Sequence, residues 1–397
     1  MFKFNVEMHT LKLLLFLVIV QCIQAAWRSP HDLELKEAAM CTREKCQAPN
    51  CRCSAMSLPK PEFKGHEKEI PQFITVTFDD AVTALNYEMY QELFANLLNP
   101  DHCEAHGCFY VCHEYTDYSK VNALYNEGHE IALHSITHGA GTDYWRNADV
   151  DLLMREFGQQ IDMLERFAKI DRRHIRGMRL PFLQISGNNS FIAAKRLGLL
   201  YDSSWPTQQY RNPAMWPYTL DYLSMQDCQI RPCPTASFPG LWENPMVSWI
   251  DNEGYSCSML DGCIYLPPDN VESLFEWMKD NFRRHYEGNR APFGMYLHSA
   301  WFGRSPNFFK AFRKFLEYAN SLPNVYITTP SAVIQYMKHP NLDKPFKGCF
   351  KKPHTTCNPV TCGLAKQPSG EMRYMTVCDS CPETYPWLDN PLGEVLK

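Results

Sequence analysis

From Phe73 to about residue 340 the chain alternates short apolar runs with longer stretches whose apolar residues recur three and four apart. The first run, FITVTFDD from Phe73, is β-branched and aromatic and suits a buried strand. YEMYQELFANLL follows it with helical spacing. CFYVCHE, HEIALHS, IRGMRLPF, LLYDSSW, PFGMYLHSAW and NVYITT repeat the strand pattern. Helical stretches such as DVDLLMREFGQQIDMLERFAKI and VESLFEWMKDNFRRHYEG separate them. Roughly seven such units predict an α/β fold of parallel strands covered by helices. A distorted or incomplete (β/α) barrel fits better than an open sheet. No Gly-rich phosphate loop follows the first strand, which argues against a nucleotide site.

Three regions fall outside the alternation. Residues 26–70 are polar, Cys-rich and punctuated by Pro, and read as a disulfide-tied lead-in to a barrel over 71–340. Residues 206–263, rich in Trp and Pro with two close cysteine pairs, read as excursions that shape a groove above the barrel. Residues 341–397 lack an apolar run long enough for a core of their own and read as a Cys-rich wrapping tail.

The N-terminus changes the setting. MFKFNVEMHTLK, then LLLFLVIV, then QCIQAAW reads as a secretory signal peptide over 1–25, cut after Ala25. The run is too short for a comfortable membrane span, and no further run of about 18 apolar residues follows. The mature chain is therefore expected to be secreted, without a membrane partner. Of 17 cysteines, Cys22 lies in the signal and an even number remains for an oxidising compartment. Two clusters are odd: Cys103, Cys108, Cys112; and Cys349, Cys357, Cys362, Cys378, Cys381. Full pairing demands a bond between them, and Cys112, at the end of an apolar strand, is the expected partner of the tail. CTREKCQAPNCRC also suits a zinc knuckle, but export favours disulfides. Asn188 heads the one N-x-[ST] sequon, a candidate glycan site. A net charge of −5 speaks against a nucleic-acid partner.

Candidate chemistry collects at the C-terminal ends of the expected strands, where barrel enzymes keep their reactive groups. Asp79 and Asp80 end the first, His134 and His138 follow the third, and Arg179 the fourth. Asp202 and Trp205 end the fifth, and Leu297 and His298 a late one. Two histidines and a carboxylate are a common catalytic Zn²⁺ set with a position left open for water. His134 and His138, four apart, share a face if the segment turns helically. By itself that spacing fits two surface histidines equally well. Adjacent ionised carboxylates repel in a dry pocket, and a cation relieves the repulsion. One of the pair can then bind metal while the other takes a proton. Capping the next helix is the plainer role for either aspartate alone. His298 can serve as an acid, with Asp202 available to orient it.

TFDD, HSITH, RLPF, DSSW and LH, in that order, resemble the motifs of the polysaccharide deacetylases of carbohydrate esterase family four. CTREKCQAPNCRCS before the barrel and CNPVTCGL…YPWLDNPLG after it resemble insect chitin deacetylases of the gut type, which have only a catalytic domain. The resemblance spans nearly all of the mature chain. It implies a barrel of the polysaccharide deacetylase type that removes N-acetyl groups from chitin or chito-oligosaccharides with one divalent metal, Zn²⁺ by expectation. It implies Asp79 as base, and Asp80, His134 and His138 as metal ligands. Arg179 would pair with the base, and Phe182 would offer a backbone N–H to the oxyanion. Asp202 would tune the acid His298, and Trp205 with Leu297 would wall the acetyl pocket. A secreted monomer is expected, in the gut lumen or its matrix. Ala81 replaces a glycine that many bacterial members have there, and DSSW lacks an extra acid that some relatives carry. The alternative is a chitin-binding matrix protein of weak or no activity. A serine esterase is disfavoured, because no G-x-S-x-G occurs.

Overall fold

The structure is a computed structural model that describes residues 35 to 395 except 43, 345 and 350. The expected signal peptide lies outside the described residues. The chain divides into Met1–Lys36 and Glu37–Lys397, and the described residues belong almost wholly to the second unit.

β1, Gln72–Asp79, is buried along its whole length. A parallel strand covered on both faces reads as an unbroken apolar run, which is why its sequence does not alternate. It pairs along one edge with Phe293–His298, from Ile74↔Phe293 to Asp79↔His298. Its other edge is shared, Val325–Ile327 taking the first residues and β2 (Cys108–Val111) the last. β3 (Glu130–Leu133), β4 (Gly177–Met178) and β5 (Tyr201–Asp202) continue the sheet in parallel. Trp242–Glu243 extends it in parallel, and Tyr218–Thr219 closes the edge antiparallel. Among the described residues no pairing joins that edge back to Phe293–His298, so the curled nine-stranded sheet remains an open barrel.

Helices cover it as the spacing predicts: Ala84–Phe94, Tyr118–Asn126, Asn188–Arg196, Val271–Tyr286, Pro306–Asn320 and Pro330–Lys338. Thr83 and Asn86 form a capping box at the first, and the Asp117 carboxylate caps the second. One helical run, 150–167, contains a π turn at Met154–Gly158. The excursion region holds only two-residue strands, in registers such as Pro206↔Met246 and Trp249↔Cys257. The lead-in docks on it through Arg52 N–H to the Thr219 hydroxyl (3.0 Å) and Trp216 N–H to the Ala55 carbonyl (3.3 Å).

The tail forms an antiparallel ribbon, Pro359–Lys366 with Glu371–Cys378, tied by Cys357–Cys378 and Cys362–Cys381. The bond from tail to core is Cys103–Cys349, not one through Cys112. Cys103 lies in the loop before β2. Cys112 is buried as a free thiol against the Glu114 carbonyl, and Cys108 is free as well. The part of the tail beside Cys112 carries no cysteine: His113 next to it meets Tyr385, Pro386 and Trp387, whose neighbouring cysteines are already paired with one another. Cys41–Cys53 and Cys46–Cys51 are disulfides, which rules out a zinc knuckle in the lead-in.

Candidate active site and metal centre

β1 stays apolar to Phe78 and then delivers two carboxylates in succession. Asp79 still lies in register between His298 and Tyr110. At Asp80 the backbone leaves the strand with φ +80°, a conformation Asp tolerates better than most residues. That turn gives the two acids different surroundings. Asp79 is 4% exposed and accepts from Arg179 Nη1 at 2.6 Å. The Asp80 carboxylate lies 3.4 Å from His138 Nε2 and 3.7 Å from His134 Nε2.

His134 follows β3, and its backbone N–H reaches the Val111 carbonyl. The segment after it does not turn helically as the i, i+4 spacing suggested. It loops through left-handed residues Ser135 (φ +76°) and His138 (φ +45°), and the Ser135 hydroxyl accepts from His138 N–H. Two residues that sequence reasoning missed brace this loop. Glu156 accepts from the N–H groups of Ile136 and Thr137 and from the hydroxyls of Thr137 and Tyr144. Gln160 accepts from Ser135 N–H and donates to the Val111 carbonyl. Both are buried, on the helical run whose π turn shifts the helical phase at Glu156. π turns of this kind gather at functional sites. A regular 3.6-residue reading of the sequence hides that shift.

Arg179, fully buried after β4, is the hub. Besides Asp79, its guanidinium donates to the Thr77 hydroxyl and to the carbonyl and hydroxyl of Ser203, and it stacks 4.0 Å over Tyr110. Its own carbonyl accepts from His134 Nδ1 at 2.8 Å, which turns the lone pair of His134 Nε2 toward Asp80. Burial alone would raise the Asp79 carboxyl. The Arg179 charge, with His134 and His298, more than offsets it and holds Asp79 below its ordinary value, so it is ionised.

Asp202 does not tune His298. Its carboxylate accepts from Ser204 N–H and the Ser204 hydroxyl, and burial pushes it up to about 6. Its partner across the sheet is Glu243, a second fully buried acid held well above its ordinary range by burial and by Asp202. The residue that grips His298 is Asp261, which accepts from Nδ1 at 2.7 Å and from the backbone N–H at 2.9 Å. Burial pulls the His298 imidazolium down. The Asp261 bond and the charges of Asp79, Asp261 and Asp80 outweigh that and raise it to about 9. Asp261 is the single acid in CSMLDGC, a loop closed by Cys257–Cys263, and that isolation was the available signal.

Of the other expected residues, Phe182 reaches the candidate ligands, while Trp205 and Leu297 belong to the core. The Phe182 ring is 5.2 Å from that of His138, and its backbone turns through φ +57°. Trp205 and Leu297 are buried in the main core, Trp205 donating to the Asp227 carbonyl at 2.9 Å. The donor set fits a divalent cation. Zn–N and Zn–O distances of about 2.0–2.2 Å put tetrahedral ligands roughly 3.3–3.6 Å apart, close to the 3.4 and 3.7 Å separations here. Of the groupings of metal-ligating side chains among the described residues, the others use cysteines already in disulfides.

Chitin deacetylase 8 of Bombyx mori is 42% identical over 365 residues, which cover 91% of this chain and 95% of that protein. The chain belongs to the chitin deacetylase family. Chitin deacetylase 1 of Bombyx mori is 34% identical over 383 residues, 91% of this chain and 70% of that protein. The solved structure of peptidoglycan deacetylase PdaC from Bacillus subtilis aligns at a TM-score of 0.38 and 12% identity, over 68% of this chain and 93% of that one. No family model matches the chain. As a chitin deacetylase family member the protein is an enzyme of the deacetylase class.

Proposed function

We propose that the protein hydrolyses N-acetyl groups of chitin or chito-oligosaccharides, releasing acetate and leaving glucosamine units, with one divalent metal, Zn²⁺, held by Asp80, His134 and His138. The observation that carries this reading is the convergence of that ligand set with an ionised Asp79 and a protonated His298 around one mouth. A cation there would polarise the attacking water and the acetamide carbonyl.

The chain's own groups divide the remaining work. Asp79, with Oδ1 on Arg179, takes the proton of the attacking water on its other oxygen. The first N–H groups of a helical turn have no partner within it, so Phe182 N–H in Pro181–Leu183 is available to the developing oxyanion. Trp205 and Leu297 supply apolar wall for the acetyl methyl. His298, protonated at neutral pH, gives its proton to the leaving nitrogen, and Asp261 holds the ring in place. Asp202 stands behind Ser204 as part of the scaffold.

Seven disulfides among the described residues suit an oxidising compartment. No described helix is long and apolar enough to cross a membrane. We take the protein to be secreted and monomeric, its gut location resting on the resemblance to gut-type members.

The deciding experiment is acetate release from N-acetylglucosamine oligomers by the purified protein, before and after chelation and after Zn²⁺ is returned. Chelator-sensitive release restored by the metal is expected. Oligomer binding without any release would leave a non-catalytic chitin binder as the better account.

A further inference from the structure

The strands β2, β3 and β4 end side by side, and the loop after β3 carries His134 and His138. The loops on its two flanks share a feature. Each holds an exposed aromatic residue in the left-handed region: Phe182 after β4, at φ +57° and 46% exposed, and Tyr115 after β2, at φ +68° and 65% exposed. Glycine takes that conformation freely, whereas a bulky side chain rarely does. Strain of this kind persists only where the surroundings impose it, and it gathers at functional sites. The Phe182 ring lies against that of His138, but Tyr115 has no part in the core.

Tyr115 is the third residue of the β-turn 113–116, closed by the Thr116 N–H on the His113 carbonyl at 3.1 Å. A positive φ at that position favours Gly or Asn. Backbone bonds stitch the turn into the mouth. His113 N–H donates to the Ser135 carbonyl at 3.2 Å, inside the candidate metal loop. Asp117 N–H donates to the Val82 carbonyl at 2.7 Å, two residues beyond Asp80. From the tail ribbon, Arg373 meets Glu114 at 3.0 Å and stands 5.5 Å from the centre of the Tyr115 ring. The bonds within the turn run through its backbone and the Thr116 hydroxyl, so a glycine at 115 would keep them and shed the strain. The chain places an exposed tyrosine there instead, on the rim between two loops that carry candidate metal ligands.

A tyrosine ring has an apolar body and a polar tip. A pyranose unit has matching apolar C–H faces and a rim of hydroxyl and acetamido groups. We propose that Tyr115 stacks its ring on a sugar unit of the chain next to the one whose acetyl group is removed. It sets affinity for the chain and takes no part in the chemical step. The role rests on the deacetylase reading of the mouth and adds to it a recognition residue for that substrate.

Y115G and Y115F test it, by acetate release from the N-acetylglucosamine hexamer and by titration calorimetry of the same oligomer. Y115G should raise KM about tenfold and weaken calorimetric binding by a similar factor. Its kcat should stay within about threefold, because binding lost equally from substrate and transition state appears in KM alone. Y115F keeps the ring and should hold KM within about threefold of the unaltered protein. Glycine accepts the left-handed turn, so the urea midpoint of Y115G should stay close to that of the unaltered protein. Unchanged hexamer affinity in Y115G, an equal loss in Y115F, or a fall in kcat at constant KM would overturn the assignment. A lowered midpoint with unchanged affinity would give the ring to the bracing of Arg373 and overturn it too. Absence of acetate release by the unaltered protein would strike the deacetylase reading instead, and the calorimetric comparison would still decide Tyr115.

Discussion

Asp79 and Asp202 each close a parallel strand of the same sheet, each is buried, and each feels the charge of Arg179. Their carboxyls are nevertheless shifted in opposite directions. Arg179 touches Asp79 at 2.6 Å and holds it ionised. Asp202 has Glu243 opposite it on the paired strand, and burial lifts it to about 6. Burial penalises both charges alike, so the nearest group decides the outcome. Glu156, another buried acid, is instead satisfied by four donors, three from the loop and one from Tyr144. The base of the proposed reaction is thus the acid whose charge the fold compensates, and the proposal leaves the look-alike at the end of β5 as part of the frame.

The largest effect should come from D79N. Without its carboxylate the Arg179 charge is buried alone, a cost of about 3–5 kcal/mol, and loss of the base should lower turnover about 10²–10⁴-fold. Denaturant melts and acetate release measure the two, and near-normal turnover would refute the base. E156A comes next. It removes the brace of the His134–His138 loop, and metal affinity should fall about 10–100-fold, read by competition with a chromogenic chelator. Replacing Asp261 and Asp202 separately with Asn sharpens the comparison directly. D261N should cost roughly tenfold or more in turnover at little change in KM, while D202N should leave turnover within a few-fold. The reverse ranking would restore Asp202 as the partner of His298.

The smallest effect concerns pH. A carboxyl raised in the folded state binds its proton more tightly there than in the unfolded chain, so stability falls as pH rises through that range. For Asp202, raised to about 6, the fall between pH 4 and pH 7 should be on the order of 2 kcal/mol. E243Q removes the other acid of the pair and should flatten the fall. Urea melts across that range would show it, and an identical slope in E243Q would mean that the pair does not titrate as a unit.

Much of the site was legible because its motifs sit at strand ends. TFDD, the two histidines, Arg179 and His298 needed only the expectation that parallel strands end on one side. What failed had a different cause each time. The i, i+4 spacing of His134 and His138 suggested a helix, but the left-handed residues Ser135 and His138 bring the rings together instead, at 5.2 Å. Glu156 stayed hidden behind a π turn. Asp261 comes from a disulfide-closed excursion in a region without periodicity, so pattern reading had no purchase on it. Counting cysteines required a bond between odd clusters, but which thiol meets the tail depends on which tail segment passes beside it: Cys349 lies against Cys103, and Tyr385 to Trp387 lie near Cys112.

Local patterns of apolar and polar residues are read over a few turns or strand residues, and they carried the α/β alternation and the buried strand ahead of two acids; the candidate ligand set came from the resemblance of the motifs. Distances between residues far apart in sequence are set by how the sheet curls and where its loops return. Only the tertiary structure could therefore place Asp261 rather than Asp202 on His298, choose Cys103 rather than Cys112 for the tail, and separate an aspartate shifted down by its partner from one shifted up by burial. A side chain's charge and reach are properties of its residue type. Its partner is a property of the folded chain.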